Sequence, residues 1–241
     1  MQNLQRTFAF GDIHGCHAQL LTLLEAIKPT SADTLIFLGD MIDRGKDSKG
    51  VLDTIMAYQK ICTVILIQGN HEEMMLGAVH EKEYFKYWLK FGGIETLKSF
   101  GLPATTQGLK DVPFEYFKLL KSAVPYYETD NYVFTHATPI PDLPMDKQSD
   151  DGLRWRFLPK EPQLPHISGK TIICGHSAQK NGQVYQSPNL ICIDTYSYGG
   201  GYLTALEIET GTITGQIYQV NAQATDILIS KIQLTGKHND E

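Results

Sequence analysis

No apolar run in this chain approaches the roughly 20 residues that a membrane-spanning helix needs, so no membrane partner is expected. Its first residues, Met1-Gln2-Asn3-Leu4-Gln5-Arg6, lack the apolar stretch of a secretory signal, which leads to the expectation of a cytoplasmic protein. Lysine and arginine form no cluster, and the formal charge is −6. That balance argues against a broad nucleic-acid surface, and an anionic substrate has to be held by local cations. The four cysteines, Cys16, Cys62, Cys174 and Cys192, show no Cys-x-x-Cys spacing. Three of them lie in or beside apolar strand-like runs, so reduced structural thiols are expected rather than a disulfide framework. A linker is also lacking, and residues 1–241 are read as one domain.

What the chain does have is a repeated turn. The apolar run Thr34-Leu35-Ile36-Phe37-Leu38 reads as a buried parallel strand and is followed by Gly39-Asp40-Met41-Ile42-Asp43-Arg44-Gly45. Thr7-Phe8-Ala9-Phe10 is closed in the same way by Gly11-Asp12-Ile13-His14-Gly15, and Thr63-Val64-Ile65-Leu66-Ile67 by Gly69-Asn70-His71-Glu72. One Gly-Asp turn is a common helix cap. Three in succession bring carboxylates, an amide and histidines to the carboxyl edge of one sheet, where open α/β sheets bind ligands.

Helical spacing of Leu20, Leu23, Leu24 and Ile27, and of Val51, Leu52, Ile55 and Met56, places a crossover helix after each of the first two turns. Further helices are expected from Glu72, over Tyr84 to Phe91 with a stop at Gly92-Gly93, and over Phe114 to Val124. Gly101 to Gly108 reads as a loop. Short strands then lead to His136, to Gly175-His176 and to Asp194, and an antiparallel pair around Thr210-Gly211 closes the pattern. Between them, residues 138–169 carry six prolines, which reads equally as a functional lid and as an irregular crossover. The tail from Gly236 to Glu241 is expected to fray.

The strand ends assemble Asp12, His14, Asp40, Asn70, His136 and His176. Imidazole, carboxylate and amide oxygen together suit borderline divalent ions, Mn²⁺ first, with iron or zinc as alternatives. Asp12, His14 and Asp40 would hold one ion; Asp40, Asn70, His136 and His176 the other. Two such ions activate a shared water for in-line displacement at phosphorus. Arg44 offers a planar fork to phosphoryl oxygens, His71 an acid for the leaving oxygen, and Asp43 a partner that orients it.

Gly-Asp-Ile-His-Gly, Gly-Asp-Met-Ile-Asp-Arg-Gly and Gly-Asn-His-Glu, followed by His136 and Gly175-His176, resemble the calcineurin-like metallophosphoesterases, and within them the phosphoprotein phosphatases of bacteria and phages. The resemblance covers residues 7–208 and implies a four-layer α/β/β/α sandwich, two metal ions and the roles just given. It also implies a second phosphate-binding arginine from the long loop near a tryptophan, for which Arg156 is preferred over Arg154, and a cleft residue that Tyr196 resembles. Gln68 stands where eukaryotic and phage members of the family carry an arginine before Gly-Asn-His, so one phosphate-binding cation of the resembled pattern is missing.

The function expected is a dimetal phosphomonoesterase acting on phosphoserine and phosphothreonine, with phosphotyrosine as a further substrate, through attack by a metal-bridging hydroxide. Its partners are then phosphorylated proteins or small phosphoesters. Two alternatives stand beside it: a symmetrical diadenosine tetraphosphate hydrolase, which resembles the chain less well at Asp43, and a catalytically silent metal-binding module, which the retention of Arg44, Asp43 and His71 disfavours.

Overall fold

A computed structural model describes residues 5–161, 164–209 and 214–233. The expected turn at Thr210-Gly211, the proline at 162 and the tail from Gly236 lie outside the described residues. The first sheet begins with three parallel strands, β1 (Arg6–Phe10), β2 (Thr34–Phe37) and β3 (Thr63–Leu66), joined through helices α1 (His17–Ile27) and α2 (Ser48–Tyr58). Antiparallel strands β9 (Tyr202–Glu209), β10 (Thr214–Asn221) and β11 (Ile227–Gln233) extend it, in the order β11-β10-β9-β1-β2-β3. The second sheet has the order β4-β5-β6-β8-β7, built from β4 (Tyr126–Glu128), β5 (Tyr132–Thr135), β6 (Thr171–Cys174), β7 (Tyr185–Ser187) and β8 (Leu190–Cys192). Its centre, β5-β6-β8, is again parallel.

Strand pleating explains how the two sheets pack. In β1, Phe8 and Phe10 point to the helix side, in one cluster with Leu20, Leu23 and Leu24 of α1 and Val51 and Leu52 of α2. Ala9 between them faces the other way, into a second cluster with Ile36, Phe134, Ile173, Ile191 and Leu206 that lies between the sheets. The outer face of the second sheet presents Val133, Ile172, Cys174, Leu190 and Cys192 to Met145 and Leu153. The four-layer α/β/β/α sandwich is thus present, and its last layer is thin: one short helix, α8 (Asp150–Arg154), and the chain around it. Each buried Leu, Ile or Phe contributes on the order of 1.5–3 kcal/mol, so the two-sided burial of β1, β2, β6 and β8 fixes the strands whose ends carry the polar turns.

Several local expectations are corrected. The helix over Tyr84–Phe91 starts earlier, as α4 (Lys82–Trp88), and continues over Leu89–Gly93; the expected stop at the glycines is present, since Gly92 leaves helical geometry and a separate helix, α5 (Ile94–Ser99), follows the kink. Gly92, at φ 115°, bends the chain and lets its carbonyl accept from the Arg44 N–H at 3.4 Å. Within the presumed loop, Thr105 caps α6 (Thr106–Asp111) by accepting from the Gly108 N–H. In α7 (Phe114–Lys121) the buried residues are Tyr116, Leu119 and Leu120, whereas Phe114, where the helix begins, is 72% exposed. Strands β4, β7 and β11 are additions to the sequence reading. The described parts of 138–169 are tied down at several points: Gln148 accepts from the Ile140 N–H and donates to the Ile140 and Leu143 carbonyls, and His166 is buried with Nε2 bonded to Leu143.

Asp33 holds the entry to β2. Its carboxylate takes a two-pronged bond from Arg6 of β1 (3.1 and 2.7 Å) and two more from the N–H and hydroxyl of Thr30 (2.7 and 3.0 Å). Burial alone would raise its pKa; the bonds from Arg6 and Thr30 outweigh burial and hold it below the usual value. Because the folded pKa is depressed, this stabilisation is complete above the unfolded carboxylate range near pH ~4 and is lost as pH falls through the folded value. Asp33→Asn is expected to cost about 1–3 kcal/mol at neutral pH and to weaken the acid-side loss of stability, read from urea melts at pH 7 and pH 3.5. Equal melts for both proteins at pH 7 would refute the role.

Candidate metal centre

The parallel strands of both sheets end side by side, and every polar turn singled out in the sequence meets there. Asp12 and His14 follow β1; Asp40, Asp43 and Arg44 follow β2; Asn70 and His71 open helix α3 (Asn70–Ala78) after β3; His136 follows β5 and His176 follows β6. Close approach of these turns requires glycine. At Gly39, φ is +98° and a Cβ would lie 2.7 Å from the Gly69 Cα and 2.8 Å from His136 Nδ1. Six of the eight non-glycine residues with positive φ among the described residues, His14, Asp40, Asp43, Arg44, His176 and Tyr196, belong to this region. Strain concentrated this way marks a functional site.

Asp40 is the hub. Its carboxylate lies 3.5 Å from His14 Nε2, 3.4 Å from His136 Nε2 and 3.8 Å from His71 Nε2, and accepts the His71 N–H at 3.0 Å. Two groups of donor atoms, each within 4.8 Å, share it: His14-Asp40-His71 and Asp40-His136-His176. Burial opposes ionisation of Asp40, but the imidazoles of His136, His71, His14 and His176 together hold its carboxyl well below the usual range. Asp12 stands outside both groups; its two oxygens accept the His176 N–H at 3.1 Å each. Burial, then the neighbouring Asp194 and Asp40, push the Asp12 carboxyl well up. Asp194 itself, mainly through burial, is raised to about 6.

The orientation of the imidazoles tests whether this cluster fits metal ions. His136 donates Nδ1–H to the Leu38 carbonyl at 2.8 Å, and His176 donates Nε2–H to the Trp155 carbonyl at 3.1 Å. Burial lowers both pKa values, that of His176 to about 4, so the rings are neutral and the opposite nitrogens carry lone pairs. Those lone pairs point at the same atom, Asn70 Oδ1, from 2.9 Å (His136 Nε2) and 3.1 Å (His176 Nδ1). Three acceptors converging with no proton among them are complementary to a cation. On the other side, His14 donates Nδ1–H to the Ile42 carbonyl at 3.0 Å, which turns the Nε2 lone pair inward. The residues present therefore fit a dinuclear centre that shares Asp40.

Beside the hub sits a buried pair. His71 Nδ1 donates to Asp43 Oδ2 at 2.7 Å, and Asp43 is held further by Trp88 Nε1–H at 2.9 Å and the Thr96 hydroxyl at 2.6 Å. His71 Nε2, fully buried, has no hydrogen-bond partner. Burial disfavours the imidazolium, yet Asp40 and the bonded Asp43 outweigh it and raise the His71 pKa. Burial also raises Asp43, against the bonds from His71, Thr96 and Trp88. Arg44 places its guanidinium over the Tyr198 ring at 4.5 Å, with Nη1 3.0 Å from His14 Nε2.

The two loop arginines are engaged elsewhere. Arg154, largely buried, bonds Glu73 at 2.7 Å and approaches Asp150 at 3.3 Å; Arg156 donates Nη1 to the carbonyls of Thr138 (3.4 Å) and Pro139 (2.5 Å). Tyr196 stacks edge-on against Tyr198 and lies 5.7 Å from Lys180 Nζ. Sequence reasoning gave Tyr198 no functional role, because the three glycines after it read only as a bulge or turn. It also passed over Glu72, whose carboxylate accepts N–H groups of Asp40, Met41 and Gly69 and so staples the second turn to the third. Asp194 was legible as one more strand-to-acid step.

A family profile described as calcineurin-like phosphoesterase matches residues 6–180. Among curated relatives, serine/threonine-protein phosphatase 2 of Salmonella typhimurium is 31% identical over 212 residues, 83% of this chain and 91% of its own length. Serine/threonine-protein phosphatase 1 of the same organism is 36% identical over 93 residues, and that match spans only 41% of its length. A symmetrical bis(5'-nucleosyl)-tetraphosphatase of Cellvibrio japonicus is 27% identical over 86% of this chain and 97% of its own. A solved cold-active protein tyrosine phosphatase, 18% identical, shares the fold with a TM-score of 0.65 over 97% of this chain and 80% of that one.

Proposed function

Since the chain belongs to the calcineurin-like phosphoesterase family, we propose that it is a dimetal-dependent phosphomonoesterase releasing phosphate from phosphoserine and phosphothreonine, with phosphotyrosine as a further substrate. The observation that carries this reading is the buried Asp43–His71 pair, with His71 Nε2 unpartnered beside the hub carboxylate. An alkoxide leaving from serine or threonine needs a proton; a raised-pKa imidazole fixed by a carboxylate delivers one. In this reading Asp12, His14 and Asp40 would hold one ion, and Asp40, Asn70, His136 and His176 the other. Once bound, such ions, manganese first with iron or zinc as alternatives, would supply Lewis-acid stabilisation to the phosphoryl group and the attacking water.

The chain's own residues do the rest. Arg44, braced by Tyr198, would give up its present contact with His14 Nε2, freeing that lone pair for an ion, and turn its N–H groups to phosphoryl oxygens to offset their charge. Asp43 holds the His71 tautomer with Nε2 turned to the substrate, and Trp88 and Thr96 keep Asp43 in place. Arg154, Arg156 and Tyr196 take a share in phosphate binding only after leaving their present partners. No helix among the described residues is long and apolar enough to cross a membrane.

The relative in Cellvibrio japonicus favours a second reading, symmetrical cleavage of diadenosine tetraphosphate. Protein stripped of metal, reloaded with Mn²⁺ and given a phosphoserine peptide and diadenosine tetraphosphate in parallel separates the two. Free phosphate from the peptide is the expected product. ADP as the dominant product, with the peptide intact, would replace the first reading by the second. No turnover of either substrate by protein carrying two ions would sink both and raise the silent binding module.

A further inference from the structure

We propose that Glu73 is a positioning residue for the metal centre, acting on His176 through the Trp155 backbone; this rests on the dinuclear reading of the site. Glu73 lies one helical turn after Asn70 on α3, so the segment that delivers the amide oxygen also carries the clamp. Its two carboxylate oxygens are divided between neighbours. Oε1 accepts from Arg154 Nη1 and Oε2 from Trp155 Nε1, each at 2.7 Å. Such short charge-assisted bonds are the strong ones, and here they fix two consecutive residues at the end of α8.

What they fix is a carbonyl. The Trp155 C=O accepts His176 Nε2–H at 3.1 Å and thereby sets the ring's tautomer, leaving the Nδ1 lone pair on Asn70 Oδ1 at 3.1 Å. Among the described residues these two are the hydrogen bonds of the His176 ring, and the exposed Phe157 ring lies 4.6 Å from it. Its partner His136 is held differently, by the Leu38 carbonyl in the first sheet's core. The clamp therefore acts on one of the two donor groups. Asn70 and His176 are drawn together because Glu73 ties the loop that orients His176 back to the helix that carries Asn70. Arg154 is the spacer of this clamp, which accounts for its burial beside an acidic helix face.

Outer partners of metal-ligating histidines typically change metal affinity about 10–100-fold when removed. The test is calorimetric titration of Mn²⁺ into metal-stripped full-length protein. Wild type is expected to take two equivalents. In Glu73→Ala one equivalent should weaken about 10–100-fold while the other is unchanged, and Glu73→Gln, which keeps an oxygen acceptor, should recover part of the loss. Trp155→Phe breaks the same link from its other end without touching the helix, and should weaken the same single equivalent. Two equivalents bound by Glu73→Ala and Trp155→Phe as in wild type would overturn the proposal, as would an equal loss of both. Wild-type protein that binds no Mn²⁺ would overturn the dinuclear reading itself and the clamp's role with it, a result distinguishable from failure of the clamp alone.

Discussion

Asp40→Asn is expected to abolish turnover, by about 10³-fold or more, and to leave the dialysed protein without a full complement of metal. A few kcal/mol of lost charge stabilisation suffices, because each ~1.4 kcal/mol is tenfold in rate. Asparagine preserves size, the turn and one oxygen, so the backbone at φ 49° has no reason to change. What it removes is the single negative charge common to both donor groups. Four imidazoles then face a neutral amide, and neither group retains a bridging anion. Metal analysis after dialysis, alongside phosphate release, measures both effects. A useful control is Asp47→Asn: Asp47 caps α2 through the Gly50 N–H and bonds His17, outside the cluster, so its loss should lower stability and leave metal content intact. Retention of two ions by Asp40→Asn would refute the shared-hub arrangement.

Much of this site was legible because it is written locally. Each of β1, β2 and β3 is a short apolar run followed by Gly and a polar residue, and the period of one strand plus one amphipathic helix puts all three turns on one edge before any long-range contact is considered. His136 and His176 were reached through the same grammar, at the ends of β5 and β6. The misread parts lack such a grammar. Gly92-Gly93 does end the helix as read, but the contact that Gly92 makes there with Arg44 lies 48 positions away in sequence and was not legible. The engagement of Arg154 depends on Glu73, 81 residues earlier, and the Tyr198–Arg44 stacking joins the glycine-rich turn after Tyr198 to a residue far away in sequence. Long-range side-chain pairing is settled by packing, and no pattern along the chain records it.

His71 carries the second large expectation. His71→Asn should lower kcat for a phosphoserine peptide by about 10²–10⁴-fold, the usual worth of a positioned acid, while both metal equivalents remain. The separation follows from geometry. His71 Nε2 has no hydrogen-bond partner, and the ring is oriented by Asp43 rather than by the atoms at Asn70 where His136 and His176 converge. Asp43→Asn should act in the same direction but less, about 10–10²-fold, since Trp88 and Thr96 still position the side chain while its charge no longer supports the imidazolium. The leaving group distinguishes this from general damage. A serine alkoxide needs the proton; 4-nitrophenolate departs without one. With 4-nitrophenyl phosphate the His71→Asn defect should therefore shrink by at least about tenfold relative to the peptide. Equal defects on both substrates with metal content intact would show that His71 serves binding or structure, and the proton would have to come from elsewhere in the cluster. Loss of one ion in His71→Asn would instead assign its Nε2 to the group it forms with His14 and Asp40, as their shared 4.8 Å neighbourhood permits.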